Sequence, residues 1–153
     1  MKTMNTFMLA LLGVLLMTTV SIAQDYKHPY GLVSKDGKVT DPNGKNIGSI
    51  TPDGVIKDAA GKSIAKVDAN GDLIDTKTGK KIGHAPKNGT FVYSYPENKT
   101  DSLTTSPPMN GTCEVKDSKG KTVVLVHENY KHIGACAYHC LYLQKHSEEM
   151  KMK

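Results

Sequence analysis

A repeated stretch of 17 residues constrains the fold of this chain more than any other feature of its sequence. The first copy, residues 31–47, reads GLVSKDGKVTDPNGKNI, and the second, residues 48–64, reads GSITPDGVIKDAAGKSI. The third copy, residues 65–82, carries one extra residue, and a fourth begins at residues 83–92 before the pattern departs. A unit this short cannot bury an apolar face alone, so successive copies have to stack or close on one another.

Each copy contains two turn signals. The first is Asp-Gly or Asn-Gly, as at Asp36-Gly37, a pair that tolerates the positive φ angles of hairpin turns. The second is Asp-x-x-Gly, as from Asp58 to Gly61, where the carboxylate can accept hydrogen bonds from the turn backbone. The segments between the turns carry Val, Ile or Leu at every second or third position and are too short for helices. The pattern predicts a mainly β chain of short hairpins.

The Asp-Gly and Asp-x-x-Gly-Lys-x-Ile-Gly elements over residues 30–93 resemble the secreted β-flower repeat proteins of bacteria, whose short hairpins are arranged radially. The resemblance implies a five-fold β-flower-like ring or a meander of hairpins, together with a secreted location. It assigns no catalytic residue. A five-fold ring would be completed by residues 26–30 or by the later part of the chain.

The amino terminus has the three parts of a secretory signal peptide. Lys2 supplies the positive charge, residues 7–17 form an apolar run, and Ser21-Ile22-Ala23 offers small residues for cleavage. The apolar run is too short to span a bilayer, and no later segment is longer. We therefore expect residues 1–23 to be removed and the mature chain to have no transmembrane span. It would reside in the periplasm, in the cell envelope or outside the cell.

The charged residues argue against a nucleic-acid partner. All 20 basic residues are Lys and none is Arg, although the net charge is +5. Dedicated phosphate sites favour the planar guanidinium group, and these Lys residues are spread among the predicted turns. With no Trp in the chain, a large aromatic-lined pocket is not expected either. These observations favour a protein or a cell-envelope component as the partner.

The rest of the chain divides into a linker and a tail. Pro96, Pro107 and Pro108 lie among Ser, Thr and Asn, which predicts a linker over residues 94–111 between the repeat region, residues 24–93, and a tail, residues 112–153. The tail reads as one more hairpin, over residues 112–127, followed by the chain's one helix from about Gly134 to Glu149.

Cysteine and histidine residues concentrate in this tail and predict a metal site. His132, Cys136, His139 and Cys140 would fall on one stripe of a helix that extended back to residue 132. Thiolate and imidazole groups in that arrangement could bind zinc or copper, with Cys113, His127 or His146 completing the shell. Because Gly134 could start the helix too late for His132, the stripe depends on where the helix begins.

A disulfide is the competing prediction for the same thiols. An oxidising compartment favours disulfide bonds, which stabilise small domains. A bridge from Cys113 to Cys136 or Cys140 would join the hairpin to the helix. One bridge would leave a third Cys free for a metal, a partner or oxidation.

A thiol nucleophile is a further alternative, using Cys136 or Cys140 with His139 as the base. The adjacent His139 and Cys140 point in different directions on a helix, and no orienting partner is evident. No catalytic residue or bound cofactor is therefore expected. The leading expectation is an exported, non-enzymatic structural or binding protein. A metal-binding protein and a thiol-active exported enzyme are the alternatives.

Overall fold

The computed structural model describes residues 29–87, 89–94 and 100–152, so the predicted signal peptide lies outside the described residues. Within these ranges the chain forms short strands and then a helix. The strands are β1 Gly31–Val33, β2 Lys38–Thr40, β3 Asn46–Ile50, β4 Val55–Asp58, β5 Ser63–Val67, β6 Asp72–Asp75, β7 Lys81–His84, β8 Thr90–Ser94, β9 Thr100–Thr105, β10 Thr112–Lys116 and β11 Thr122–His127.

The 11 strands close into a barrel in which each strand pairs antiparallel with the next along the chain. Closure is made by β1 and β11, which pair in parallel with Leu32 opposite Leu125. Every described strand therefore has a neighbour on both sides, and the sheet has no free edge. This architecture confirms the mainly β fold of short hairpins predicted from the repeat.

The apolar positions of the repeat fill the inside of the barrel. Val39, Ile56 and Leu73 occupy the same position in three successive copies, and all three are completely buried. Their side chains point inward because successive residues of a strand face opposite sides of the sheet. The period of 17 residues thus returns a core side chain to the same position of the lumen in each copy.

In the first two copies both turn signals form the same type of turn, whereas the second turn of the third copy, from Asp75 to Gly79, is one residue longer. In the first kind, the Gly37 N–H donates to the Ser34 carbonyl at 3.0 Å, and in the second the Gly61 N–H donates to the Asp58 carbonyl at the same distance. Both glycines have φ near +83°, while the residues before them do not have positive φ. The hairpins thus combine a type I turn with a glycine bulge. Because antiparallel strands reverse at each turn, alternate turns lie at opposite rims of the barrel.

Strand β9 lies inside the segment predicted as a linker, and that prediction is wrong for Thr100–Thr105. The strand pairs with β8, where Leu103 lies opposite Phe91, and both side chains face the core. The predicted hairpin of the tail is present as β10 and β11. Hairpin and repeats belong to one barrel, so the tail is not a separate unit.

The C-terminal helix, residues 134–151, runs through the barrel lumen. It consists of α1 Gly134–Tyr138, a π-helical turn His139–Leu143 and α2 Gln144–Lys151. Residues of α1 contact β1, β3, β9 and β11, and of these strands β3 and β9 lie on opposite sides of the ring. Every residue from Gly134 to Leu141 is buried, whereas the described side chains beyond Leu143 are exposed. The helix therefore enters at one rim, fills the lumen and emerges at the other rim.

Two strand glycines make room for this helix. A Cβ atom at Gly31 would overlap the ring of Tyr138, and one at Gly48 would lie 2.7 Å from Leu141 Cδ1. Both glycines occupy the first position of a repeat copy, where the third copy has the buried Ala65. In the first two copies the glycine that opens the repeat is thus a packing requirement of the helix. No helix in the described part of the chain is long and apolar enough to cross a membrane.

Candidate functional site

The lumen holds most of the residues that the sequence singled out for chemistry. Cys136, His139 and Cys140 lie on the buried part of the C-terminal helix, and Cys113 lies on β10 with its side chain facing the core. All three cysteines of the chain are buried and are free thiols in the structure. The disulfide between Cys113 and Cys136 or Cys140 therefore stays a prediction.

His132 does not join the other three predicted metal ligands. The helix begins at Gly134, so His132 lies in the preceding turn, exposed at the rim where the helix enters. There it lines a cleft together with Lys87 and Ile133, outside the lumen. The four-residue stripe predicted from the sequence is therefore not formed. Within residues 29–87, 89–94 and 100–152, no three His, Cys, Asp or Glu side chains are grouped to hold a metal ion.

His139 packs among aromatic rings inside the barrel. Its ring centroid lies 3.8 Å from that of Tyr93 and 5.5 Å from that of Phe91, and only 6% of the residue is exposed. Burial penalises the charged imidazolium and lowers the pKa of His139 to about 4. The side chain is therefore neutral at neutral pH and contributes packing to the core.

The same burial makes the cysteine thiols poor nucleophiles. Loss of solvation, with a smaller contribution from the charge of Asp75, raises the pKa of Cys140 to about 12. Burial also raises the pKa values of Cys136 and Cys113 above the ordinary value of a thiol. The reactive form of cysteine is the thiolate, so thiols held in this protonated state are chemically inert at neutral pH.

Each rim of the barrel carries an open cleft. The His132 cleft has a volume of about 580 Å³, with Val67, Ala85 and Ile133 among its apolar lining and Lys66 among its charged lining. The His146 cleft, at the rim where the helix emerges, has a volume of about 420 Å³. Such volumes fall in the range of small-ligand sites, although both clefts are wide open to solvent.

The turns beside the His146 cleft are held by their own carboxylates. Asp41 Oδ1 accepts hydrogen bonds from the N–H groups of Asn43 and Lys45, each at 2.9 Å. Asp58 Oδ1 does the same for Ala60 and Lys62 in the next copy. These carboxylates fix the shape of the rim, and the same arrangement recurs at Asp117 in the last hairpin.

A ladder of rings connects the lumen to the His146 cleft. Tyr138, Tyr142 and His146 follow one another at intervals of four residues, with ring centroids 5.1 Å and then 4.0 Å apart. Tyr138 is buried and His146 is exposed, so the ladder leaves the barrel along one side of the helix. Tyr142 was not among the candidate residues predicted from the sequence, although its spacing of four residues from Tyr138 and from His146 indicates the stack.

Residues 31–87 match a protein family described as "Protein of unknown function (DUF3659)". The match spans the first three copies of the repeat and the beginning of the fourth. No curated protein and no solved structure matches the chain. The resemblance to β-flower repeat proteins accordingly stays a prediction.

Proposed function

We propose that the mature protein is an exported, non-enzymatic scaffold whose role is structural or is the binding of a protein or cell-envelope component at its rims. The observation that carries this proposal is the filling of the barrel by the chain's own helix. The lumen of a barrel is the usual place for a ligand, and here Tyr138, Leu141 and their neighbours occupy it. The clefts that remain for a partner lie at the two rims.

Burial of the thiols supports the non-enzymatic part of the proposal. A thiol-active enzyme needs an accessible cysteine with a lowered pKa, whereas Cys136 and Cys140 have raised pKa values and face the core. The alternative of a metal site formed by tail cysteines and histidines has weaker support, because His132 lies at the rim while the other three residues lie in the lumen.

The proposal is tested by intact mass and thiol labelling of the exported protein. We expect a mass that begins at Gln24, since the small residues before it predict cleavage there. We also expect no labelling of native protein by a thiol reagent over minutes at pH 8. Labelling after unfolding in urea then counts the free thiols. Three labels correspond to the free cysteines of the structure, whereas one label and a mass two hydrogens lighter correspond to the predicted disulfide.

Two outcomes would contradict the proposal. Retention of residues 1–23 on a chain that stays inside the cell would overturn the exported location. Rapid labelling of Cys136 or Cys140 in the native protein would overturn the non-enzymatic role and favour the thiol-active alternative. A Cys113→Ser variant serves as the control that assigns any single fast label, because it removes the cysteine that lies on β10 and leaves the two on the helix.

A further inference from the structure

The His132 cleft continues into a second, smaller cleft at the same rim. This Lys131 cleft has a volume of about 280 Å³ and is also lined by Pro107 and Pro108. Lys87 and His132 line both clefts, so the two join at these side chains. We call the joined clefts the entry groove, because they lie at the rim where the C-terminal helix enters the barrel. A ligand longer than a single residue can therefore occupy both clefts at once.

The Lys131 cleft carries positive charge alone. Lys87 and Lys131 line it together with His132, and no described acidic residue does so. Among the described residues, neither lysine forms an ion pair with a carboxylate. Both lysines are exposed, so a carboxylate of another molecule can reach their ammonium groups and be attracted by them. This part of the entry groove is therefore suited to an anionic group.

The His132 cleft offers an apolar surface beside that charge. Val67, Ala85 and Ile133 line it, and all three belong to the hydrophobic core or pack against it, so the core holds them in place. An aliphatic side chain that settles on them removes apolar area from water on both molecules, which favours binding. This part of the entry groove is therefore suited to an aliphatic side chain.

The charges that line the His132 cleft balance one another. Two lysines and two aspartates line it: Lys66, Lys87, Asp53 and Asp68. A hydrogen bond from Thr51 lowers the pKa of Asp53, and the charge of the nearby Lys66 contributes to the same shift. An acidic residue of a ligand therefore finds no net attraction in the His132 cleft and is drawn to the Lys131 cleft instead. This difference gives a bound segment one preferred direction along the entry groove.

The closed sheet restricts how a protein partner can bind. Each described strand is paired on both sides, so a partner cannot add a strand to the barrel. Recognition then depends on side chains that enter the clefts. Lysine is a point charge that pairs with a single carboxylate, whereas phosphate sites favour the planar fork of arginine, which this chain lacks. The lining therefore favours Asp and Glu side chains over phosphate groups.

We propose that the entry groove binds an extended acidic segment of a partner protein. An aliphatic side chain of the segment lies on Val67, Ala85 and Ile133, and the adjoining Asp or Glu residues pair with Lys87 and Lys131. The inference rests on the proposed scaffold role, since it assigns to that role one rim and one class of partner.

The entry groove is tested by selecting peptides from a random linear library, displayed on phage, with the immobilised mature protein. We expect the enriched peptides to carry an aliphatic residue beside two or more Asp or Glu residues. Fluorescence anisotropy of a labelled, enriched peptide then measures its affinity. The affinity should fall as the salt concentration rises from about 0.1 M to 1 M, because salt screens the attraction between exposed charges.

Charge reversal locates the binding site. The Lys87→Glu, Lys131→Glu double variant should bind the peptide about tenfold more weakly or worse, because two attractive pairs become repulsive. The matched control is the Lys62→Glu, Lys80→Glu variant, which changes the net charge equally at exposed lysines beside turns of the opposite rim. The control should retain the wild-type affinity, since these charges lie far from the entry groove and are screened. Circular dichroism verifies that both variants are folded.

Three outcomes would overturn the proposal. The first is a selection that enriches no acidic peptide, and the second is an affinity that survives in the Lys87→Glu, Lys131→Glu variant. The third is tighter binding of heparin or of a DNA oligonucleotide that is lost in this variant, which would assign the entry groove to a polyanion other than a protein. None of these results changes the export or the thiol labelling of the protein, so they leave the proposed function standing. Rapid thiol labelling or retention of residues 1–23 would overturn that function without altering the peptide measurement.

Discussion

His139 is a polar side chain that the fold carries into the middle of its core. Among the residues that the structure describes, it is the one polar or charged residue that is buried. Aromatic rings of β8 surround it, and burial holds its pKa near 4 rather than near the value of 6.5 for an ordinary histidine. The folded state therefore binds a proton at this position less readily than the unfolded chain does.

We expect the free energy of unfolding to fall as the pH drops from about 6.5 to about 4. Over this window His139 binds a proton in the unfolded chain but not in the folded state, so acid favours unfolding. The loss should be about 3 kcal/mol from this residue, and it should be complete below pH 4, where both states are protonated. Urea unfolding curves at a series of pH values measure it.

The matched variants for this measurement are His139→Leu and His132→Asn. Leucine cannot be protonated, so the His139→Leu variant should lose less stability than the wild type across the same window. The His132→Asn variant changes an exposed histidine at the rim and should retain the wild-type slope. Equal slopes for wild type and His139→Leu would show that the buried imidazole does not control the acid sensitivity.

The recurring turn is the element that most of the barrel depends on. It begins with a residue whose side-chain oxygen accepts backbone N–H groups: Ser34, Thr51 or Asp68 at one rim, and Asp41 or Asp58 at the other. It ends with a glycine of positive φ, three residues later in these five turns. The side-chain oxygen of the first residue accepts hydrogen bonds from N–H groups that the tight turn would otherwise leave unpaired.

Replacing Asp58 by Ala should lower the free energy of unfolding by about 1 kcal/mol. The change removes the acceptor of two hydrogen bonds at a solvent-exposed turn, where water compensates part of the loss. Asp58→Asn keeps the carbonyl oxygen and should be nearly neutral. Thermal or urea unfolding of the three proteins makes the comparison, and an equal loss in both variants would assign the effect to charge instead of hydrogen bonding.

The elements were largely predictable where the sequence is periodic. The period of 17 residues repeats the same strand and turn chemistry, so the apolar residues at equivalent positions predict the inward face of the sheet. These residues are Val39, Ile56 and Leu73. Strand β9 could not be recognised in the same way. Its sequence, TDSLTT, has Leu103 as its one apolar residue, and its pairing with β8 comes from the neighbouring strand rather than from local preference.

At the scale of the whole molecule, the C-terminal helix is the core of the barrel. Tyr138 and Leu141 pack against Gly31 of β1 and Gly48 of β3, while His139 packs against Phe91 and Tyr93 of β8 across the ring. Burial of one large side chain contributes about 1.5–3 kcal/mol. The helix buries several such side chains, so their summed contribution is comparable to the total stability of an ordinary domain, about 5–15 kcal/mol.

We therefore expect a chain ending at His127 to be unfolded, because it keeps all 11 strands but loses the helix side chains that fill the lumen. A chain ending at Leu143 should fold, because the described side chains it lacks are exposed. Circular dichroism and urea unfolding distinguish the two. A cooperative unfolding transition in the shorter chain would contradict the role of the helix as the core.

The position of this helix also explains which parts of the candidate site the sequence could predict. The concentration of Cys136, His139 and Cys140 on one helix was evident from their spacing. Their burial was not, because it depends on a ring of strands that is closed by the most distant segments of the chain. The prediction that His132 shares this stripe required a helix that begins at residue 132. The helix begins two residues later, at Gly134, so His132 lies at the rim.

The parallel pairing of β1 with β11 has a consequence for how the protein acquires its structure. Gly31 pairs with Val124, so the seam joins residues 93 positions apart (124 − 31). The barrel cannot be completed during synthesis until β11 has emerged, and contacts this distant in sequence make folding slow. Until then β1 and β10 are both unprotected edges that can pair with other chains. A ribosome or a translocation channel that holds back the last strand therefore also holds back folding, and aggregation is most probable in that interval.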